Sequence, residues 1–249
     1  MVNVDSPNGK QRFLGEFGGP AVVTAAPYDP RHFVRVNETV DLTLKGLQAH
    51  SAATVSFDLY ILKSWDGNNP NYGPDRWSLS VEGGATLLDT TFSNNAKTGA
   101  YDLSLQDYPV AGSPPQTSAS AVNALGYQFF GDAIYHLTFT FPHAGETLVL
   151  HFASSLFEGK GVGDESWGLD NVRVSIDARE LPALGRVAAR VVRWNGVRSA
   201  AADLTRARPG PRRLCRRGSG WFRSGRLLRV SASWCADRAR QGARRDRWS

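Results

Sequence analysis

The strongest constraint on the fold is a strict alternation of side chains on either side of one polar loop. In residues 55–61, Val55, Phe57, Leu59 and Ile61 fall on one face, while Ser56, Asp58 and Tyr60 fall on the other. Beyond the loop, Trp77, Leu79 and Val81 alternate with Ser78, Ser80 and Glu82. Successive side chains of an extended chain point to opposite faces of a sheet, so this pattern predicts two half-buried strands. Gly83-Gly84 then supplies the positive-φ residues of a tight hairpin into a third strand. The same period recurs at 39–44, where Val40, Leu42 and Leu44 point inward, and at 134–141, with Tyr135, Leu137, Phe139 and Phe141 inward. It returns at 146–153 (Leu148, Leu150, Phe152) and at 167–177, and a shorter strand is expected at 12–18. Helical periodicity is nearly absent. Eight or nine strands separated by turn signals predict an all-β, two-sheet antiparallel sandwich with a jelly-roll connection. The connection 93–126 is rich in Ser, Asn, Ala, Gly and Pro, and so long a link in a compact domain is usually functional or mobile.

Charge divides the chain in two. Residues 1–177 hold ten Lys+Arg and nineteen Asp+Glu, a net of −9; residues 178–249 hold nineteen Arg, no Lys and four acids, a net of +15. The first part reads as the sandwich domain, with its first strand missing. The second reads as a low-order basic tail, since high net charge with few buried-type residues does not sustain a core. Clustered Arg pairs with phosphate, so a genuine tail would favour nucleic acid. Its Arg, Ala, Gly and Pro composition and abrupt onset are those of a frameshifted GC-rich reading frame. Both cysteines, Cys215 and Cys235, lie in this tail, so the acidic body reports no redox compartment. No apolar run reaches the ~20 residues of a membrane helix, and the first residues carry no apolar signal-peptide core.

Two constellations carry candidate chemistry. In ESWGLDNVRVSI, continuous alternation places Asp170 on the face of Val172, Val174 and Ile176. A carboxylate on an inward face needs a cation or several donors, because desolvating it alone costs several kcal/mol. Structural Ca²⁺ at Asp170 and Asp58 answers that need, and a hydrogen-bonded capping Asp answers it equally. Asp164 and Glu165 add oxygens or form a solvated loop. The second constellation is the 64–75 loop, with Trp65, Asp66, Asn68, Asn71, Tyr72 and Asp75. An exposed Trp65 or Tyr72 can stack on a sugar ring while the Asp and Asn side chains fix hydroxyls. The opposing expectation is that Trp65 folds back over the sheet and the asparagines only turn the chain. Asp66 and Asp75 have the oxygen chemistry of a Ca²⁺ loop, but the spacing is not that of an EF-hand. No G-x-S-x-G motif occurs, and the five histidines lack zinc-ligand spacing; His136 and His151 read as plain surface residues.

On the segments RFLGEFG (12–18), ETVDLTLKGLQAH (38–50), the stretch 55–94 containing WDG and GPDRWSL, and DESWGLDNVRV (164–174), the body resembles exported bacterial β-sandwich proteins of the PEP-CTERM type. More distantly it is similar to jelly-roll carbohydrate-binding modules, of concanavalin-like or galactose-binding-like architecture. The resemblance implies a secreted or cell-surface, non-catalytic module that binds carbohydrate and carries a structural Ca²⁺ at Asp170; a monomer is expected. The chain departs from the family in lacking the signal peptide, the Asp-Phe-Glu first strand and the Pro-Glu-Pro sorting signal, and in a longer connection at 22–36. Two other functions stay open: a structural or adhesive envelope component with no discrete ligand, and a jelly-roll glycan hydrolase or lyase.

Overall fold

The computed structural model describes residues 1–19, 34–95, 104–128, 130–158 and 161–178, and within the basic segment the strands 192–193, 214–219 and 231–238. The strands are β1 (Val2–Ser6), β2 (Gly9–Phe17), β3 (Val34–Lys45), β4 (His50–Lys63), β5 (Arg76–Val81), β6 (Thr86–Thr91), β7 (Ala121–Val122), β8 (Asp132–Pro142), β9 (Thr147–Glu158), β10 (Glu165–Ala178), β11 (Val192–Arg193), β12 (Leu214–Ser219) and β13 (Ser231–Arg238). They build two antiparallel sheets. One runs β1-β2-β10-β4-β8-β7, with β11 added beside β10; the other runs β12-β13-β3-β9-β5-β6.

The alternation read from the sequence accounts for the core. Val55, Phe57, Leu59 and Ile61 of β4, with Tyr135 and Leu137 of the adjacent β8, face Trp77 and Leu79 of β5 and Leu150 and Phe152 of β9, all buried between the sheets. Aromatic rings interlock at the centre: Trp77 meets Trp167 edge-on at 5.9 Å, and Phe57 meets Phe152 edge-on at 5.4 Å. Offset and edge-to-face contacts of this kind suit the ring quadrupoles. Between β5 and β6 the chain turns at Gly83, whose φ is +67°.

Several features depart from the sequence expectation. A hairpin of β1 and β2 precedes β10, where only a strand at 12–18 was expected; Ser6 pairs with Gly9 across its turn. This hairpin covers the outer face of its own sheet. Phe13, Tyr60, Leu62 and Leu125 form a second buried cluster there, with Phe13 edge-on to Tyr60 at 5.1 Å. In the basic segment, β13 pairs along β3 from Ser231 opposite Lys45 to Arg238 opposite Glu38, and β12 pairs outside β13. These strands fall within the segment expected to be a low-order tail: an open β3 edge would present unpaired N–H and C=O groups, and β13 pairs with them. Residues 179–191, 194–213, 220–230 and 239–249 lie outside the described residues, as does most of the long connection at 22–36.

The face of Asp170 is also corrected. Along β10, Trp167 and Leu169 point into the core before residue 170, whereas Val174 does so after it. Pairing with β4 shifts register between Asp170 and Arg173, and Asn171 adopts φ +50°. An inserted residue at a bulge exchanges the two faces of a strand. Asp170 thus lies with Asp58 and Tyr60 on the outer face, not with Val174.

Gly168 is the contact that lets β2 close onto β10, since a Cβ there would stand 2.5 Å from the Phe13 ring and 3.0 Å from the Leu14 carbonyl. Gly168→Ala is expected to lower stability by about 1–3 kcal/mol through overpacking. Urea unfolding checks this; an unchanged midpoint would mean that the hairpin is not packed as described.

Candidate metal centre

The 64–75 loop is built inward from the end of β4. Ser64 donates its backbone N–H to the Asp164 carbonyl at 3.0 Å and its hydroxyl to Asp164 Oδ1 at 2.8 Å. The Trp65 indole N–H donates to the Ser166 carbonyl at 2.8 Å. These bonds tie the end of β4 to the start of β10. Trp65 is fully buried in the main core, which corrects its assignment as an exposed sugar platform. A ring with no solvent exposure cannot stack on a ligand. The burial gain of a whole indole favours this position over a solvent-facing one.

From Trp65 the chain folds over itself. Asn69 Oδ1 accepts the backbone N–H groups of Asn71 and Tyr72 at 2.9 and 3.1 Å, and the Asp75 N–H donates to the Gly67 carbonyl at 2.9 Å. Gly67, at φ +55°, lies so close to the 104–107 segment that a Cβ would stand 2.3 Å from the Leu105 carbonyl. Asn68 is exposed yet bonded on both sides of its amide: Nδ2 donates to Asp107 Oδ1 at 2.7 Å, and Oδ1 accepts from the Thr91 hydroxyl at 2.8 Å. Beneath it Gln106, fully buried, uses Oε1 to accept the N–H of Ser93 and of Gln116 and the Tyr135 hydroxyl. Gln106 thus ties the described part of the long connection to Ser93 and Tyr135.

This folding brings three carboxyl groups together. Asp66, Asp75 and Glu165 offer oxygens that all lie within 4.8 Å of one another. They are 6%, 0% and 2% exposed. Asp75 Oδ2 accepts the Asp66 N–H at 2.6 Å and Oδ1 accepts the Phe157 N–H at 3.2 Å. Asp66 Oδ1 accepts from Asn95 Nδ2 at 2.9 Å and from the Ser104 hydroxyl at 3.5 Å. Burial pushes the Asp66 carboxyl up to about 7, with the Asp164 charge adding to it and the Asn95 and Ser104 bonds opposing it. Burial and the neighbouring Asp66 charge likewise hold Asp75 well above the usual carboxylate range, against its backbone bonds and the more distant pull of Arg35. Two ionised carboxylates at such a separation repel by more than about 3 kcal/mol at an effective dielectric constant of ~20. Protons or a cation must relieve this. Calcium binds oxygens at about 2.3–2.6 Å, so opposite members of its shell stand ~5 Å apart, a span that contains the observed spacing. The cluster has the donors to hold such an ion.

Of the sequence candidates, the structure brings Asp66 and Asp75 together, with Glu165 as the third member. Asp164 and Glu165 are both buried, and so are no solvated loop. Their nearness to the 64–75 loop depends on pairing between strands more than 90 residues apart, which no local spacing reveals. Asn71 and Tyr72 sit at the loop's outer edge, exposed and half-buried. Asp170 and Asp58 are register partners elsewhere, on the outer face of the β4–β10 sheet. Asp58 accepts from His136 Nδ1 at 2.6 Å and from Asn171 Nδ2 at 2.6 Å, while Asp170 accepts the Asn171 N–H at 2.8 Å and the Tyr60 hydroxyl at 3.3 Å. Protein donors thus engage both carboxylates. His151 is bonded in the same way to Asp41 at 2.7 Å, so neither surface histidine is a plain one: each pairs with the Asp directly opposite on the next strand.

Comparisons with family models, with curated proteins and with solved structures returned no match.

The raised carboxyls set the sign of a pH dependence. Asp66, whose folded value lies above its unfolded one, contributes stability that is whole below about pH 4 and lost as pH rises to about 7. Asp75 acts in the same direction. In chelator, the unfolding midpoint is expected to fall over this range by an amount worth a few kcal/mol, and Asp66→Asn to flatten the fall. Thermal melts of the two proteins from pH 4 to 8 check this, and parallel curves would contradict it.

Proposed function

We propose that the protein is a non-catalytic β-sandwich binding module whose 64–75 loop is held in shape by a bound cation, most suitably Ca²⁺, at Asp66, Asp75 and Glu165. The observation that carries this reading is the mutual approach of three buried carboxylates from two separate parts of the chain. A cation there would join the loop to the start of β10 and remove the repulsion that otherwise opposes their ionisation. We assign structural calcium to this cluster rather than to Asp170 and Asp58, on the gathering of three buried carboxylates within 4.8 Å of one another.

Carbohydrate is the ligand class we assign, on the resemblance to jelly-roll modules of cell-surface proteins together with what the loop presents outward. Asn71 and Tyr72 stand at its edge, an amide and an aromatic ring on a backbone that Asn69 fixes. A ring to stack on and an amide to bond hydroxyls are the elements of a polar-ligand site. The burial of Asp66 and Asp75 favours cation binding over hydrolysis, because a glycosidase pair must flank an accessible cleft. A structural role with no discrete ligand is the competing reading. The loop's many internal bonds favour it, for Asn68 and Asn69 are engaged within the protein.

For the full chain at pH 7.5, Ca²⁺ at a hundredfold excess over its dissociation constant is expected to raise stability by about 2.7 kcal/mol relative to chelator. In Asp75→Asn the increment should vanish. Absence of any Ca²⁺ effect in a protein that unfolds cooperatively would overturn the cation assignment. A glycan array run in Ca²⁺ separates the two readings of ligand: binding abolished in Tyr72→Ala, with the calcium increment intact, supports the carbohydrate module. An array blank for the wild type leaves the structural component.

A further inference from the structure

At the opposite end of β4 from the carboxylate cluster, two histidines meet. His50 opens β4 and is 3% exposed; His143 lies in the turn between β8 and β9 and is half-buried. Their ring planes are 23° apart with centroids 4.9 Å apart, and His50 Nε2 lies 2.7 Å from His143 Nδ1, so the rings meet edge to edge. Each remaining nitrogen faces a backbone carbonyl: His50 Nδ1 is 2.5 Å from the Gln48 oxygen, and His143 Nε2 is 3.2 Å from the Thr147 oxygen.

Proton counting follows from these partners. A carbonyl oxygen only accepts, so both outer nitrogens must carry hydrogen. Were both rings neutral, the two inner nitrogens would then oppose lone pair to lone pair at 2.7 Å. Were both rings charged, two N–H groups would collide. The chain of three hydrogen bonds is complete with three protons on four nitrogens, which is one positive charge on the pair. We propose that His50 and His143 share a single proton and act as a pH-gated latch between the two crossovers at this end of the sandwich, closed at intermediate pH and opened by either loss or gain of one proton.

The position gives the latch something to hold. The β3–β4 turn and the β8–β9 turn each carry the chain from one sheet to the other. Here the Leu47 N–H donates to the Glu146 carbonyl at 3.0 Å, and the His143 N–H donates to the Ser51 carbonyl at 3.1 Å. Other ionisable groups on the packed segments are Lys45, which is the register partner of Thr147, Glu146 in the turn, and Asp177 of β10. Asp177 accepts the Ser51 hydroxyl and the N–H groups of Ser51 and Ala52, bonds that hold its carboxyl down at about 2, so it stays ionised wherever imidazole titrates. Burial and the neighbouring His50 lower the His143 imidazole, in keeping with a pair that resists a second proton. The carboxylate cluster follows the far end of β4, which at about 3.3 Å per residue places it on the order of 40 Å away, so the two devices are separable.

Nitrogen-15 correlation spectra of the full chain, recorded from about pH 4 to 9, read the ring protons directly. At intermediate pH, three of the four ring nitrogens of the pair should report as protonated. Hydrogen exchange at the Leu47 and His143 amides should be slowest there and at least about tenfold faster at both extremes, after correction for intrinsic rates. His143→Phe keeps an aromatic ring without its nitrogens and should abolish the maximum. Two independent one-proton titrations with the amide protection unchanged throughout would overturn the proposal, as would protection that varies in one direction only. The wild-type spectra decide the matter even if the variant does not fold.

Discussion

The burial of carboxylates at the ends of β4 and β10 is the constraint on which the candidate site depends. Ser64 and Trp65 reach across to Asp164 and Ser166, and in doing so they draw Asp66 toward Glu165. The indole of Trp65 enters the core and fixes the loop's first residue. Asp75, two residues before the inward-facing Trp77, is carried inside by the phase of β5. Hydrophobic burial thus places three acids where water cannot solvate them, and electrostatics then demands a compensating charge. The loop's own hydrogen bonds satisfy parts of Asp66 and Asp75, yet burial first and the neighbouring Asp66 charge second still hold the Asp75 carboxyl above the usual carboxylate range.

The outer face of the β4–β10 sheet handles similar groups differently. Asp58 and Asp170 stand opposite each other on adjacent strands, yet His136, Asn171 and Tyr60 supply donors to them. Burial still raises the Asp170 carboxyl there, and the donors from Asn171 and Tyr60 oppose it. Two pairs of acids in one domain therefore call for different chemistry, because one sits between the sheets and the other outside them.

Much of the fold was legible in the sequence. Period-2 patterns at β3, β4, β5, β8 and β9 named the inward residues correctly, since each strand has one buried face and a regular pleat. Continuous alternation failed at β10, because a bulge at Asn171 reverses the faces and leaves no mark in hydrophobicity. β1 escaped notice because its few residues cover the outside of a sheet and lack a strong apolar stripe. The loop residues were singled out, Asp66 and Asp75 among them for their calcium-type oxygens, while the burial of Trp65 was open in either direction. Local sequence shows that Trp65, Asp66 and Asp75 are polar or aromatic neighbours; only the tertiary fold shows that all three turn inward. Glu165 was visible as an acid beside a glycine-rich run, and its partnership with the 64–75 loop arises from pairing of β4 with β10.

On this reading, buried, proton-holding carboxylates exchange their protons for a cation. Calorimetric titration of the full chain with Ca²⁺ at pH 6, in buffers of differing ionisation enthalpy, counts the protons released on binding. Saturable binding is expected, with release of about one proton or more per ion, a number that falls as pH rises above 7. Saturable binding with no proton release, or no binding at all by the folded protein, would contradict it.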